Sequence, residues 1–250
     1  MLISEYTKLL SDRLELSLYV DISLNGVQIE SEDREVKKIA FAVDACYETI
    51  DKAVSLGADI LVVHHGLFWG HPLAIVGSHY KRVKRAIEGN LTLFTSHIPL
   101  DAHPVYGNNA QMALRLGMTE YDPFGTWRGK YIGVKGKLPF PMTVEEVARL
   151  LNFDPIYSDM LINKLDKVES VGIISGGAGS DVVDAIDEGL DLYITGDLGH
   201  ENYHIAQEAG INVLAGGHYR SEVFGVQALM RMTQKELEIE SFFIDAETGL

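Results

Sequence analysis

Apolar residues recur near helical spacing from Ser4 to Leu18, which predicts an amphipathic opening helix. Asn25-Gly26 then reads as a turn between short extended pieces. Beyond it, short apolar runs alternate with helical stretches. Residues 36–43 read as a strand, 47–56 as a helix stopped by Gly57, and 59–63 as a strand. A helix over 80–88, a strand over 91–94 and a helix over 108–116 follow. Around 121–137 glycine, proline and aromatic residues replace any helical period. That shift marks the expected boundary between a first lobe, 1–125, and a second, 126–250. The first lobe is open to a contribution from the C-terminal segment.

In the second half, Thr143-Val144-Glu145-Glu146 is a capping box that opens a helix to about Leu151. A strand over 168–174 leads into the glycine-rich turn Ser175-Gly176-Gly177-Ala178-Gly179-Ser180 and a helix to about Glu188. Strands over 190–195, 212–215 and 240–244 alternate with helices over 200–209 and 221–236. The halves repeat, with Gly57 to His65 aligning on Gly189 to Asp197 at an offset of 132. The expected fold is α/β: two similar lobes from an internal duplication, with helix-covered sheets and a metal site between the lobes.

The metal expectation comes from polar residues at strand ends, where ligands gather in such sheets. The run Ile60-Leu61-Val62-Val63 ends in His64-His65-Gly66. Later in each half a glycine, a short apolar strand and a His-x3-carboxylate cluster recur: His97 with Asp101, and His218 with Glu222, at an offset of 121. The eleven-residue difference from the first offset is expected near His71-Pro72-Leu73-Ala74. Adjacent strand residues point to opposite faces, so His64 and His65 can share a site only if the strand ends there, which Gly66 permits. Each imidazole would then serve one of two ions, Asp101 ligating one, His218 the other and Glu222 bridging. At i,i+4 in the first turn of a helix, His218 and Glu222 would share a face. His97 is a third nitrogen ligand, a partner to Asp101 or a proton shuttle, and is the catalytic candidate.

Other polar residues have plainer readings. His71, His79 and His103 are surface or pocket-rim residues and His204 lies on a helix face. Cys46 is a small buried hydrophobe at a strand-to-helix junction. The 175–180 loop matches no nucleotide fingerprint and reads as a tight strand-to-helix turn. Asp197 either lines the cavity or caps the helix that begins near His200.

Charge narrows the partners. The chain has 36 acidic against 21 basic residues, formally −15. That opposes phosphate-driven binding of nucleic acid and attraction to anionic membranes. No disulfide framework is available with one cysteine. Neither a signal peptide nor an apolar run long enough for a membrane helix is present, so a cytoplasmic location is expected.

The chain resembles the dinuclear-metal-centre family of GTP cyclohydrolase I type 2 homologues. The resemblance runs over essentially the whole chain through Leu61-Val62-Val63-His64-His65-Gly66, Ser96-His97-Ile98-Pro99-Leu100-Asp101 and Gly216-Gly217-His218-Tyr219-Arg220-Ser221-Glu222. Asn25-Gly26-Val27-Gln28 matches a fourth segment, with valine for leucine. The resemblance implies two divalent metal ions (zinc, manganese, iron, cobalt and nickel are not distinguished) on His64, His65, Asp101, His218 and Glu222. It also implies a homohexamer. A metal-dependent hydrolase of a small anionic substrate, nucleotide or phosphoester, is the first functional expectation. The alternative is a non-enzymatic oligomeric binding or regulatory protein with a structural metal site. Arg220 is the best candidate for an anion contact; Arg82, Lys84 and Arg85 read as a solvated helix face.

Overall fold

The computed structural model describes residues 1–163 and 166–250. In chain order its elements are α1 (Ile3–Arg13), β1 (Gly26–Ile29), β2 (Lys38–Asp44), α2 (Tyr47–Ser55), β3 (Ile60–His65), α3 (Gly77–Glu88) and β4 (Thr92–Thr95). There follow α4 (Ile98–Ala102), α5 (Asn108–Arg115), β5 (Tyr121–Trp127), β6 (Lys130–Met142), α6 (Val144–Leu151), β7 (Asp159–Leu161) and β8 (Val168–Ile173). The last are α7 (Val182–Asp187), β9 (Leu192–Thr195), α8 (Asn202–Ala209), β10 (Asn212–Ala215), α9 (His218–Glu236) and β11 (Glu240–Phe243). The chain packs as two compact units, Met1–Leu100 with Val226–Ala246, and Asp101–Gly225 with Glu247–Leu250.

The stretch expected to be a lobe boundary instead lies inside the second unit, as the β5–β6 hairpin, and β6 pairs with β8. Arg128 and Gly129 both have positive φ, 49° and 81°, the backbone a tight two-residue hairpin turn requires. Two glycines that obscured the strand pattern sit where backbones approach closely. A Cβ on Gly133 would lie 2.5 Å from Ile173 O, and one on Gly136 2.7 Å from Glu120 O.

The first unit has a five-stranded sheet in the order β1-β4-β3-β2-β11, parallel except for β1. Ile60, Leu61, Val62 and Val63 are fully buried, as expected for a parallel strand covered on both faces. Ile50 and Ala53 of α2 and Val83 and Ala86 of α3 pack with Leu61, Val63 and Leu93 in one core cluster. Tyr6 of α1 meets Thr233 of α9 in a buried 2.8 Å hydrogen bond. The second unit's six-stranded sheet has the order β5-β6-β8-β9-β10-β7. Its core joins Val147 and Leu151 of α6 with Val171, Ile194 and Leu214. Helix α6 opens on the expected capping box, Glu146 N–H donating to Thr143 Oγ1 and Thr143 N–H to Glu146.

The internal repeat is visible in the strand register. Ile39 pairs with Ile60 as Val171 pairs with Leu192, an offset of 132 for both strands. Ile60 pairs with Thr92 as Leu192 pairs with Asn212, so the third strand is offset by 120. Each repeat begins with a short strand, β1 or β7, antiparallel to the third parallel strand. The offset of 121 read at His97 and His218 exceeds that of the strands because Gly217, at φ 93°, is one extra residue in the second half. The shortfall between β9 and β10 is shared by a shorter loop and a shorter helix, α8 having 8 residues against 12 in α3.

One aspartate bolts each repeat. Asp59 Oδ2 accepts the N–H groups of Lys37 and Lys38 at 2.8 and 3.0 Å. Asp191 Oδ2 accepts those of Glu169 and Ser170 at 3.0 and 2.9 Å. Burial alone would raise the pKa of Asp191, but these N–H donors outweigh it and hold the carboxyl below its ordinary value.

Candidate metal centre

In the first unit β3 carries His64 and His65 to its last two positions, and β4 leads through Ser96 to His97. Although β3 continues through His65, the two adjacent rings lie side by side, with centroids 4.6 Å apart and planes tilted by 50°. His97 stands 5.1 Å from His64 and 5.6 Å from His65. The three residues offer ring nitrogens that all lie within 4.8 Å of one another, so they form a group able to hold a metal ion. Gly66 follows without a positive φ. Its Cβ would overlap Gln28 Oε1 and Thr95 Oγ1, so crowding and not a sharp turn requires glycine there. Gln28 Oε1 accepts the N–H groups of Leu67 and Phe68 at 2.6 and 3.1 Å, and so the Asn25–Gln28 segment holds the chain leaving the histidine pair.

In the second unit α9 begins at His218, three residues earlier than expected. Its first turn places His218 Nε2 3.4 Å from Glu222 Oε1, the shared face that i,i+4 spacing predicts. Glu222 is 2% exposed. Asp101 lies in the short helix α4 and is buried; its Oδ1 accepts from Asn108 Nδ2 and Ser175 Oγ, both at 2.8 Å.

The four imidazoles share one arrangement. Each Nδ1 faces an oxygen that can only accept: Ser96 O at 3.0 Å from His64, Asp44 Oδ1 at 2.9 Å from His65, Asp21 Oδ1 at 3.0 Å from His97 and Asp197 Oδ2 at 2.6 Å from His218. Nδ1 therefore donates, and the Nε2 lone pair is directed away from the anchor. Outer carboxylates and carbonyls of this kind orient metal-binding histidines and raise their basicity. Asp21 is itself held by Asn25 Nδ2 at 2.9 Å and by the N–H groups of Ser23 and Ile98, each at 3.1 Å. Burial would raise its pKa, but the hydrogen bond and charge of His97, with the Asn25 and Ser23 donors, together hold it well below the usual carboxylate range. With three imidazole donors at this density, the histidine group of the first unit fits a divalent transition metal.

The anchors were the residues that sequence reasoning missed. Asp21 and Asp44 lie 76 and 21 positions from their histidines, and no local spacing signals them. The sequence leaves Asp197 two roles, lining the cavity or capping a helix. Asp197 bonds His218, and α8 starts after Glu201 with no side-chain cap. His97 Nδ1 is directed to Asp21, not to Asp101 as one sequence reading had it. Arg220, the anion candidate, is committed to Glu247 and Asp154 and stacks 5.3 Å from the Tyr157 ring. Cys46 is half-buried and caps α2, its Sγ accepting from Thr49 N–H at 3.5 Å. The 175–180 loop spends amides internally, Ser175 N–H on Asn109 and Gly176 N–H on Ser221. His79, expected at the surface or a pocket rim, is buried on α3 and meets Phe68 edge-on.

A profile of the Duf34/NIF3 (NGG1p interacting factor 3) family matches residues 1–249. The chain belongs to this family. Among Duf34/NIF3 relatives, the GTP cyclohydrolase 1 type 2 homolog of Deinococcus radiodurans is 42% identical over 98% of this chain and 94% of its own length. The protein of the same name from Archaeoglobus fulgidus is 42% identical, with all of both chains covered. The solved structure of protein ybgI, described as of unknown function, is 31% identical, with a TM-score of 0.90 over the whole of both chains. TTHA1606 from Thermus thermophilus is 36% identical, with a TM-score of 0.89 over the whole of both chains. These likenesses establish the Duf34/NIF3 fold for this chain. No helix among the described residues is long and apolar enough to cross a membrane.

Proposed function

We propose that this Duf34/NIF3 protein is a metal-dependent hydrolase in which His64, His65, Asp101, His218 and Glu222 hold two divalent cations. The observation that supports it most is the set of anchored imidazoles, because an Nδ1–H held by Asp44, Asp197 or the Ser96 carbonyl fixes the tautomer a cation needs. When bound, such ions supply Lewis acidity, lowering the pKa of water and offsetting charge on an anionic substrate. Asn108 and Ser175 fix the rotamer of Asp101 by occupying one of its oxygens. Glu222 enters from the first turn of α9 beside His218. His97, oriented by Asp21, presents Nε2 as the proton acceptor or donor for the reacting groups. The substrate is a small anionic molecule, a nucleotide or phosphoester, and the protein works as a homohexamer.

Metal analysis after loading and dialysis checks the reading: wild type retains about two ions per chain and Glu222→Ala loses at least one. Wild type that stays metal-free sinks it. A metal-loaded screen of nucleotides and phosphoesters then compares wild type with His64→Ala. Full metal occupancy without turnover would leave a metal-stapled binding protein in its place. Light scattering reports the assembly.

A further inference from the structure

The loop after the histidine pair has no counterpart of its length in the second unit, and it carries Trp69 to the histidine group. The indole packs edge-on to His97 with centroids 5.1 Å apart and lies 5.9 Å from His65. Its Nε1–H donates to Gly66 O at 3.0 Å, so the ring is tethered to the residue that ends the His64-His65 run. Trp69 is half-buried. Large apolar residues of this loop and of the segment before β1 are exposed: Ile22 at 45%, Leu24 at 53%, Leu73 at 45% and Ile75 at 50%. Those segments touch, since Leu24 N–H donates to Phe68 O at 3.1 Å.

Residues 18–28, 66–76 and 92–102, which supply His97, its anchor Asp21 and Trp69, contain neither lysine nor arginine. On α3, Arg85 pairs with Asp51 of α2 and Lys84 with Glu88. These three segments offer a phosphate chain no cationic side chain. A flat, weakly charged ring would find an indole held rigid beside the histidines and an apolar surround.

We infer that Trp69 is a substrate-contacting residue that stacks a planar heteroaromatic ring of the substrate. The inference rests on the histidine group being the reactive site. Stacking on an aromatic face is sequence-tolerant among bases and depends on the π-surface.

The test uses the full-length Trp127→Phe protein, so that Trp69 is the sole tryptophan and its fluorescence reports directly. Guanosine, adenosine and uridine should quench it saturably, while ribose 5-phosphate should not. In the protein with Trp127 intact, equilibrium dialysis with labelled guanosine should show Trp69→Leu weakening binding by about tenfold and Trp69→Phe far less, with metal content unchanged in both. Quenching by ribose 5-phosphate equal to that by nucleosides, or absence of quenching by every nucleoside, overturns the inference. Loss of metal from Trp69→Leu with retained nucleoside affinity also overturns it, since Trp69 would then only support the histidines. Metal content is measured separately, so a failed metal reading is distinguishable from a failed ring reading.

Discussion

In the first unit β3 ends in His64-His65, whereas the equivalent residues after β9, at the 132-residue offset, are Gly196-Asp197. Asp44, which anchors His65, is likewise replaced by Gly176. The cause is the helix that follows the third strand. In the second unit the first turn of α9 lies directly on these strand ends: a Cβ on Gly196 would sit 2.7 Å from Ser221 Oγ and 2.9 Å from His218 Cα. A Cβ on Gly176 would overlap Glu222 Oε1. One unit thus delivers its functional groups from strand ends, and the other from a helix laid on a glycine floor. The shared parts, the register and the aspartate bolts, are scaffold. The parts that diverged hold the candidate metal ligands.

The strongest way to break this comparison is to restore a side chain to the glycine floor. Gly196→Ala puts a methyl 2.7 Å from the Gly176 carbonyl, which is backbone and cannot rotate away. A loss of about 3 kcal/mol or more is expected, seen as a lower denaturation midpoint. Wild-type stability in that variant would mean that α9 can lift off the strands.

The bolts come next. Asp59→Ala and Asp191→Ala each strip a charged acceptor from two backbone N–H groups, for about 2 kcal/mol apiece. Asp59→Ala should cost more, because Asp59 is 9% exposed and also pairs with Arg34 at 2.9 Å. For Asp191 the sign with pH is fixed: its folded pKa is depressed, so its contribution is full above the unfolded value of about 3.9 and fades as pH falls. The stability gap between wild type and Asp191→Asn should therefore narrow in acid and stay constant near neutrality. A gap that widens in acid contradicts the bolt.

Removing an anchor sharpens the comparison at the site itself. Asp44→Asn and Asp197→Asn should each weaken metal retention by roughly 10- to 100-fold while leaving the fold intact by circular dichroism. Equal effects would mean that strand-borne and helix-borne histidines depend alike on their carboxylates. The smallest effect is expected at the helix exits. Asn90 at φ 49° and Gly210 at φ 74° are equivalent left-handed positions after α3 and α8, so Gly210→Asn should cost under about 1 kcal/mol.

Much of this architecture was legible in the pattern of apolar residues. The parallel strands and their helices appear within a few residues of expectation, because buried runs such as Ile60 to Val63 are bounded by turn residues. The β5–β6 hairpin was not, since Pro123, Gly125, Gly133 and Gly136 erase the alternation that marks a strand, and three-residue β7 is too short to signal. The candidate ligands could be found because histidine and carboxylate recur at fixed spacings. Their anchors could not, because a hydrogen bond from His97 to Asp21 is made by the fold and leaves no trace in local sequence.

Strand β11 completes the first unit from the far end of the chain, beyond the whole of Asp101–Gly225. During synthesis at about 5–20 residues per second, the outer edge of β2 waits many seconds for its neighbour. A nascent chain stalled before Glu240 therefore exposes an unpaired, apolar strand edge, which is the natural point of capture for a chaperone and of error in its absence.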